Sequence, residues 1–223
     1  MAARVHNPVA ELKGSFEAAL AVGLAPHAYV HAAKASRFQR TAHGVTLTVH
    51  VAYIDDRPRG ATDAVVNLAV RHDAVEVVVN AHRGDLPVAV QRETATLGVQ
   101  LGQLVGRGQV RLMLRDGGVE MAAREALDLL VSHGLAYLDA HADLAAVERR
   151  FASLSFKDWH QLSGGRAVRW PVVLGLLGRV EEGAACLRRL SESFAPADAP
   201  TAAVYPAFAA DWAVAFDSPN PLG

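Results

Sequence analysis

Between Val45 and Ile54 apolar and polar positions alternate. Val45, Leu47, Val49, Val51 and Tyr53 are apolar, and Thr46, Thr48 and His50 are polar. A period of two is that of a strand with one buried face. Similar runs follow at Ala64–Val70, Val75–Val79 and Ala95–Leu101, with a shorter one at Val110–Leu114. Arg37–Thr41 reads as a short strand, and Ala42-His-Gly44 as the turn into the long one. Arg71-His-Asp73 is short enough to be a hairpin turn, and the stretch from His27 to Ser36 reads as a connection. Short connections favour antiparallel pairing, because a parallel crossover needs a dozen or more residues. The centre of the chain is therefore expected to be a meander of about five strands.

Helical spacing brackets this centre. Asn7-Pro8 is a good N-cap followed by a proline suited to the first helical position. Val9, Leu12, Phe16 and Leu20 then place an apolar face on one side, and Gly23 and Pro26 close the helix. After the Asp116-Gly-Gly118 turn, Val119, Ala123, Leu127, Leu130 and Val131 recur at helical spacing, with Gly134 as a C-terminal stop. Asp139 or His141 would cap the next helix, whose buried side is Leu144, Val147 and Phe151. The 155–169 stretch is polar and irregular. Beyond it Val180, Ala184, Leu187 and Leu190 make one stripe, and Val204, Phe208, Trp212 and Ala215 another. The expected fold is α+β: an antiparallel sheet of about five strands flanked by an N-terminal helix and several C-terminal helices. Residues 1–154 form the expected core domain, and 155–223 a helical extension packed on it.

Composition narrows the functional classes. The 223 residues are 51% hydrophobic and 20% charged, with a formal net charge of -1. There is no basic surplus of the kind a dedicated nucleic-acid or anionic-membrane binder carries. No apolar run approaches the roughly 20 residues of a membrane span. The opening Met1-Ala-Ala-Arg-Val-His6 lacks the apolar core of a signal peptide. A single cysteine, Cys186, excludes an internal disulfide framework, so a reducing cytoplasm is the expected location. The only lysines are Lys13, Lys34 and Lys157, and this arginine and alanine bias suggests a bacterial coding sequence.

Candidate chemistry is sparse. His27 and His31 stand four apart, the spacing of two metal ligands on one helix face, but no third ligand follows at a matching interval and no metal site is expected. Cys186 lies on an apolar stripe with no histidine in its helix, which describes an inert thiol. The glycine-rich stretches Gly102–Gly108 and Ser163–Arg166 lack the order of a phosphate-binding loop or a dinucleotide fingerprint. Hydrolase, zinc-protease and zinc-deaminase motifs are absent. No cofactor is expected, and a non-enzyme is favoured.

Several segments resemble a known family: a helix ending in Gly23-Leu24, then Phe38-Gln-Arg40, the Val45–Tyr53 strand, Thr96-Leu-Gly-Val-Gln-Leu-Gly102, and His133-Gly-Leu-Ala-Tyr-Leu138. In that order they are similar to the bacterial domain-of-unknown-function family "DUF four-three-oh-four". The resemblance spans about Leu12 to Phe151. It implies a compact α+β protein, with immunity or partner proteins of secreted toxin systems among its relatives, and it supplies no catalytic residues.

Two functions remain. In the first, the chain is a non-catalytic binding protein, an immunity or inhibitor protein that blocks a cognate bacterial toxin. Its partner would be that secreted toxin or another neighbouring gene product, with no nucleic acid and no membrane involved. The open sheet face would then present Arg37, Gln39, Thr46, Thr48, His50, Asn67, Arg71 and Glu76, since an antiparallel sheet can leave one face in water. In the second, it is a small-molecule or hydrolytic enzyme. Its site would be assembled from loops 55–62, 81–93 and 155–169, with Asp56, Trp159, His160 and Arg166 as candidates.

Overall fold

The computed structural model describes residues 8–56, 61–83, 86–154, 167–194 and 199–222. It is an α+β fold with an antiparallel sheet, an N-terminal helix and several C-terminal helices, as the hydrophobic pattern predicts. By its contacts the chain forms two compact units, one of Met1–Val70 with Gly98–Ala140 and the other of Arg71–Leu97 with His141–Gly223. These boundaries interleave along the sequence, whereas the expected division ran from a 1–154 core to a 155–223 extension.

In the first unit, helix α1 (Pro8–Leu24) starts at the expected proline and buries Val9, Phe16, Leu20 and Leu24. It packs on α5 (Val119–Leu129), and a Cβ at Gly23 would come within 2.4 Å of Leu127 Cδ2. Glycine at that position is what lets the two helices approach. The sheet runs in the order β1 (Val30–Ala32), β2 (Arg37–Ala42), β3 (Val45–Asp56), β4 (Ala61–His72), β5 (Leu97–Gln100), with β6 (Leu112–Leu114) also paired to β4. Phe38, Leu47, Val49, Val51, Ala64, Val66 and Leu68 form the core side of this sheet.

Several boundaries depart from the sequence reading. His27–Ser36 is more than a connection: it holds β1, an edge strand paired antiparallel to β2. The alternation Val75, Val77, Val79 is not a strand. Asp73–Ala81 is a helix, α2, burying Val75, Glu76, Val79 and Asn80. Valine favours strands, but 75 and 79 are also one helical turn apart, and packing favours the helix. Arg71-His-Asp73 is accordingly no hairpin turn, because β4 extends through His72 and α2 starts at Asp73. Of the Ala95–Leu101 run only Leu97–Gln100 is strand, and Leu101 begins a short helical turn, α4 (Leu101–Leu104). Two short helices remain in this part of the chain, α3 (Val88–Gln91) and α6 (Leu135–Ala140). Gly134 does not end α5, since a π turn over Leu130–Gly134 carries the chain into α6. A Cβ there would lie 3.1 Å from Leu130 and 3.4 Å from Leu68, so its glycine serves close packing.

The second unit joins α2 and α3 to the C-terminal helices α7 (Leu144–Ala152), α8 (Arg169–Leu176), α9 (Val180–Phe194) and α10 (Ala199–Ala215). Asp143, rather than Asp139 or His141, caps α7, its carboxylate accepting from Ala145 and Ala146 N–H. Helix α8 packs on α2, α7 and α9. Trp212 on α10 is fully buried and donates its indole N–H to the Pro171 carbonyl at 3.1 Å.

Candidate functional site

The outward side of β1–β3 follows directly from the register. Arg37 faces His50, Gln39 faces Thr48 and Thr41 faces Thr46 across the β2–β3 pair. Val30 and Ala32 of β1 stand opposite Gln39 and Arg37. The Gln39 amide donates to Thr48 Oγ1 at 3.3 Å, and the Thr41 and Thr46 hydroxyls lie 3.0 Å apart. Cross-strand pairs of this kind add small increments to sheet stability. Thr41 and Ala32 are exposed, Val30 is 72% exposed, and Arg37, Gln39, Thr46, Thr48 and His50 are half-buried. From Val30 to Ile54 these outward positions hold no carboxylate.

The other residues expected on this face lie beyond β1–β3, Asn67 and Arg71 on β4 and Glu76 on α2. Asn67, on β4, is half-buried and turns its amide to the Val65 carbonyl at 3.4 Å. Val65, also an outward position of β4, is only 4% exposed. Arg71 and Glu76 belong to the second unit. Arg71 donates to the Gln91 carbonyl at 3.0 Å and the Thr94 carbonyl at 2.7 Å, and to Asp73 Oδ1 at 2.8 Å, so it clamps the segment after α3. Glu76 is removed from the proposed face altogether. It is fully buried on α2 and takes a two-point ion pair from Arg169, Nε to Oε1 and Nη2 to Oε2, both at 2.7 Å. Thr96 Oγ1 adds a third bond at 3.0 Å. Burial alone pushes the Glu76 carboxyl up, but the Arg169 bonds and charge, helped by Thr94 and Thr96, outweigh it and hold it below its usual value.

A second polar cluster lies on the inward side of β1 and β3. Glu17, 7% exposed on α1, accepts from Tyr53 Oη at 2.8 Å and pairs with His31 Nε2 at 2.9 Å. The His31 ring stacks on Phe38 with centroids 4.5 Å apart. One turn earlier on α1, Lys13 sits over the Tyr53 ring and binds Asp55 at 2.7 Å, and Asp55 also accepts from Thr62 at 2.8 Å. Burial and the bond to Glu17 raise the Tyr53 hydroxyl far above a free phenol, so it acts as a neutral donor. The cluster gathers two carboxylates, an imidazole, a phenol and an ammonium. It ties α1 to two strands.

Sequence reasoning missed Glu17 and His31 as a pair. The available signal was positional, since Glu17 adjoins Phe16 on the buried face of α1 and Tyr53 falls on the apolar phase of β3. His27 and His31 do not share a helix face: His27 ends a single 3₁₀ turn and His31 lies on β1. Among the described residues no three His, Cys, Asp or Glu side chains could hold a metal ion together. Trp159, His160 and Arg166 lie outside the described residues, as does the side chain of Asp56. An interior void of about 10 Å³ is lined by Val66, Leu101, Gly102, Val110, Leu112 and Leu129, space for one water and too apolar to hold it. Cys186 is buried, and burial pushes its thiol up to about 12, well away from the reactive range. No helix among the described residues is long and apolar enough to cross a membrane.

Against this geometry, no protein-family model, no curated protein and no solved structure matches the chain.

Proposed function

We propose that the protein is a bacterial cytoplasmic binding protein that works by occlusion, an immunity or inhibitor protein seated on a toxin. Docking occurs through the outward side of the β1–β3 corner. One observation carries the reading: Gln39, Thr41, Thr46 and Thr48 form an in-register ladder of hydroxyl and amide groups, with Arg37 and His50 at one end and exposed Val30 at the strand edge. Such a surface offers one apolar anchor, several hydrogen-bond donors and no carboxylate, and it is complementary to a partner surface bearing acidic groups.

The test is co-purification of the chain with the product of the neighbouring gene. A stable complex is expected with the wild type. The double variant Gln39→Glu, Thr48→Glu, which places negative charge on the ladder, is expected to weaken it at least about tenfold. No complex with the wild type, or undiminished binding by a folded double variant, would end the proposal.

A further inference from the structure

We infer that Val30–Ser36 is a strap that opens from the edge of the sheet, and that Glu17 and His31 are its latch. Buried residues stand on either side of it, Tyr29 at 6% exposure and Phe38 at 0%, yet none of the seven residues between Val30 and Ser36 is itself buried. The strand they contain is three residues long and pairs on one side, with Val30, His31 and Ala32 opposite Gln39, Phe38 and Arg37. The remainder is a single 3₁₀ turn over Ala33–Ala35 and then Ser36, a non-glycine residue held at φ 47°. That backbone region is unfavourable for a side chain and persists only where the surroundings impose it.

The two ends are fixed. Tyr29 N–H bonds the Leu24 carbonyl at the end of α1, and the Ser36 carbonyl accepts from Val51 N–H at 2.9 Å. Between them one side chain turns inward, His31, packed on Phe38 and paired with Glu17. Glu17 is itself aimed by Tyr53. Few buried contacts, a short ladder and strained backbone define a segment that opens well below the global unfolding free energy, and the Glu17–His31 pair sets how far below. Closing the strap places Val30 and Ala32 beside Gln39 and Arg37, which completes the outward ladder. Opening removes them and bares the edge of β2. The consequence for binding rests on the docking reading given above; the strap itself does not.

Amide hydrogen exchange on the protein alone tests the strap, whether or not a partner binds. In the wild type the β1 amides are expected to exchange faster than those of Val49 and Val51. His31→Phe keeps the stack on Phe38 and leaves Tyr53 untouched but cannot donate to Glu17. It should speed exchange in β1 by about tenfold with no change at Val49 and Val51. Glu17→Leu, which removes the acceptor, should raise exchange in β1 as much, and the double variant no more in β1 than either single one, because both remove one latch. Unchanged β1 exchange in His31→Phe overturns the inference. So does a rise shared equally by β1 and β3, because the histidine would then support the whole unit. Partner binding that fails while the β1 exchange pattern holds would refute the docking reading and leave the strap standing.

Discussion

Glu76 and Arg169 show what a buried charge pair demands of its surroundings. Both carboxylate oxygens are engaged by one guanidinium, and the Arg169 and Glu76 side chains are 7% and 0% exposed. Removing one member strands the other in a dry site, which costs about 3 kcal/mol or more, whereas replacing both by apolar groups of similar volume costs much less. Glu76→Gln is therefore expected to lower the urea midpoint sharply, and Glu76→Leu with Arg169→Met to recover part of the loss. The pH dependence follows from the depressed carboxyl. Stability from this pair is fully present above the unfolded value of about 4.3 and is lost as pH falls through the folded one. The difference between wild type and Glu76→Gln should thus be large at pH 6 and shrink below about pH 4. No spacing rule pairs two residues 93 positions apart, which is why Glu76 reads from sequence as a surface residue.

At the scale of elements, the strands and helices with a single consistent period are legible in the chain. Strand β3 is so because five apolar residues hold one phase from Val45 to Tyr53, and α1 because Phe16, Leu20 and Leu24 stay on one side of an alanine-rich helix. Helix α2 is not, since its valines satisfy a period of two as well as a spacing of four. Only packing separates these, and it leaves Val77 67% exposed while burying Val75 and Val79. Val77→Thr should then change stability by no more than about 0.5 kcal/mol, whereas Val75→Ala or Val79→Ala should each cost about 2 kcal/mol. Equal losses at all three in thermal melts would restore the strand. The candidate docking ladder was legible for the same reason as β3: Arg37, Gln39, Thr46, Thr48 and His50 occupy the polar phase of two paired strands. The latch was not, because it joins a helix to an edge strand that has only three residues.

For the molecule as a whole, the decisive fact is that neither compact unit is one continuous piece of chain. Cutting the protein at the compositional change after Leu154 would keep α2 and discard α8, against which α2 packs. Val75, Val79 and Glu76 would be left facing water. A 1–154 fragment is expected to be insoluble or to show poorly dispersed NMR spectra in its 71–97 segment. A soluble fragment with wild-type shifts there would show that α2 folds without α8. With 16 Lys and Arg against 16 Asp and Glu in residues 1–154, exposed apolar surface on such a fragment meets little electrostatic repulsion between copies.

The separation of Glu76 from Arg169 also sets a clock. Translation adds roughly 5 to 20 residues per second, so 93 residues correspond to a delay of roughly 5 to 20 s between the two. Throughout that interval the carboxylate that will end in a dry interior lacks the Arg169 guanidinium that neutralises it there, with only hydroxyls such as that of Thr96 and water to bond it. Nascent α2 must therefore stay undocked while the sheet-bearing unit, whose last residue is Ala140, is already complete. The order of assembly is written into chain position: the part that carries the candidate docking ladder emerges first, and the part that depends on a distant charge partner closes last.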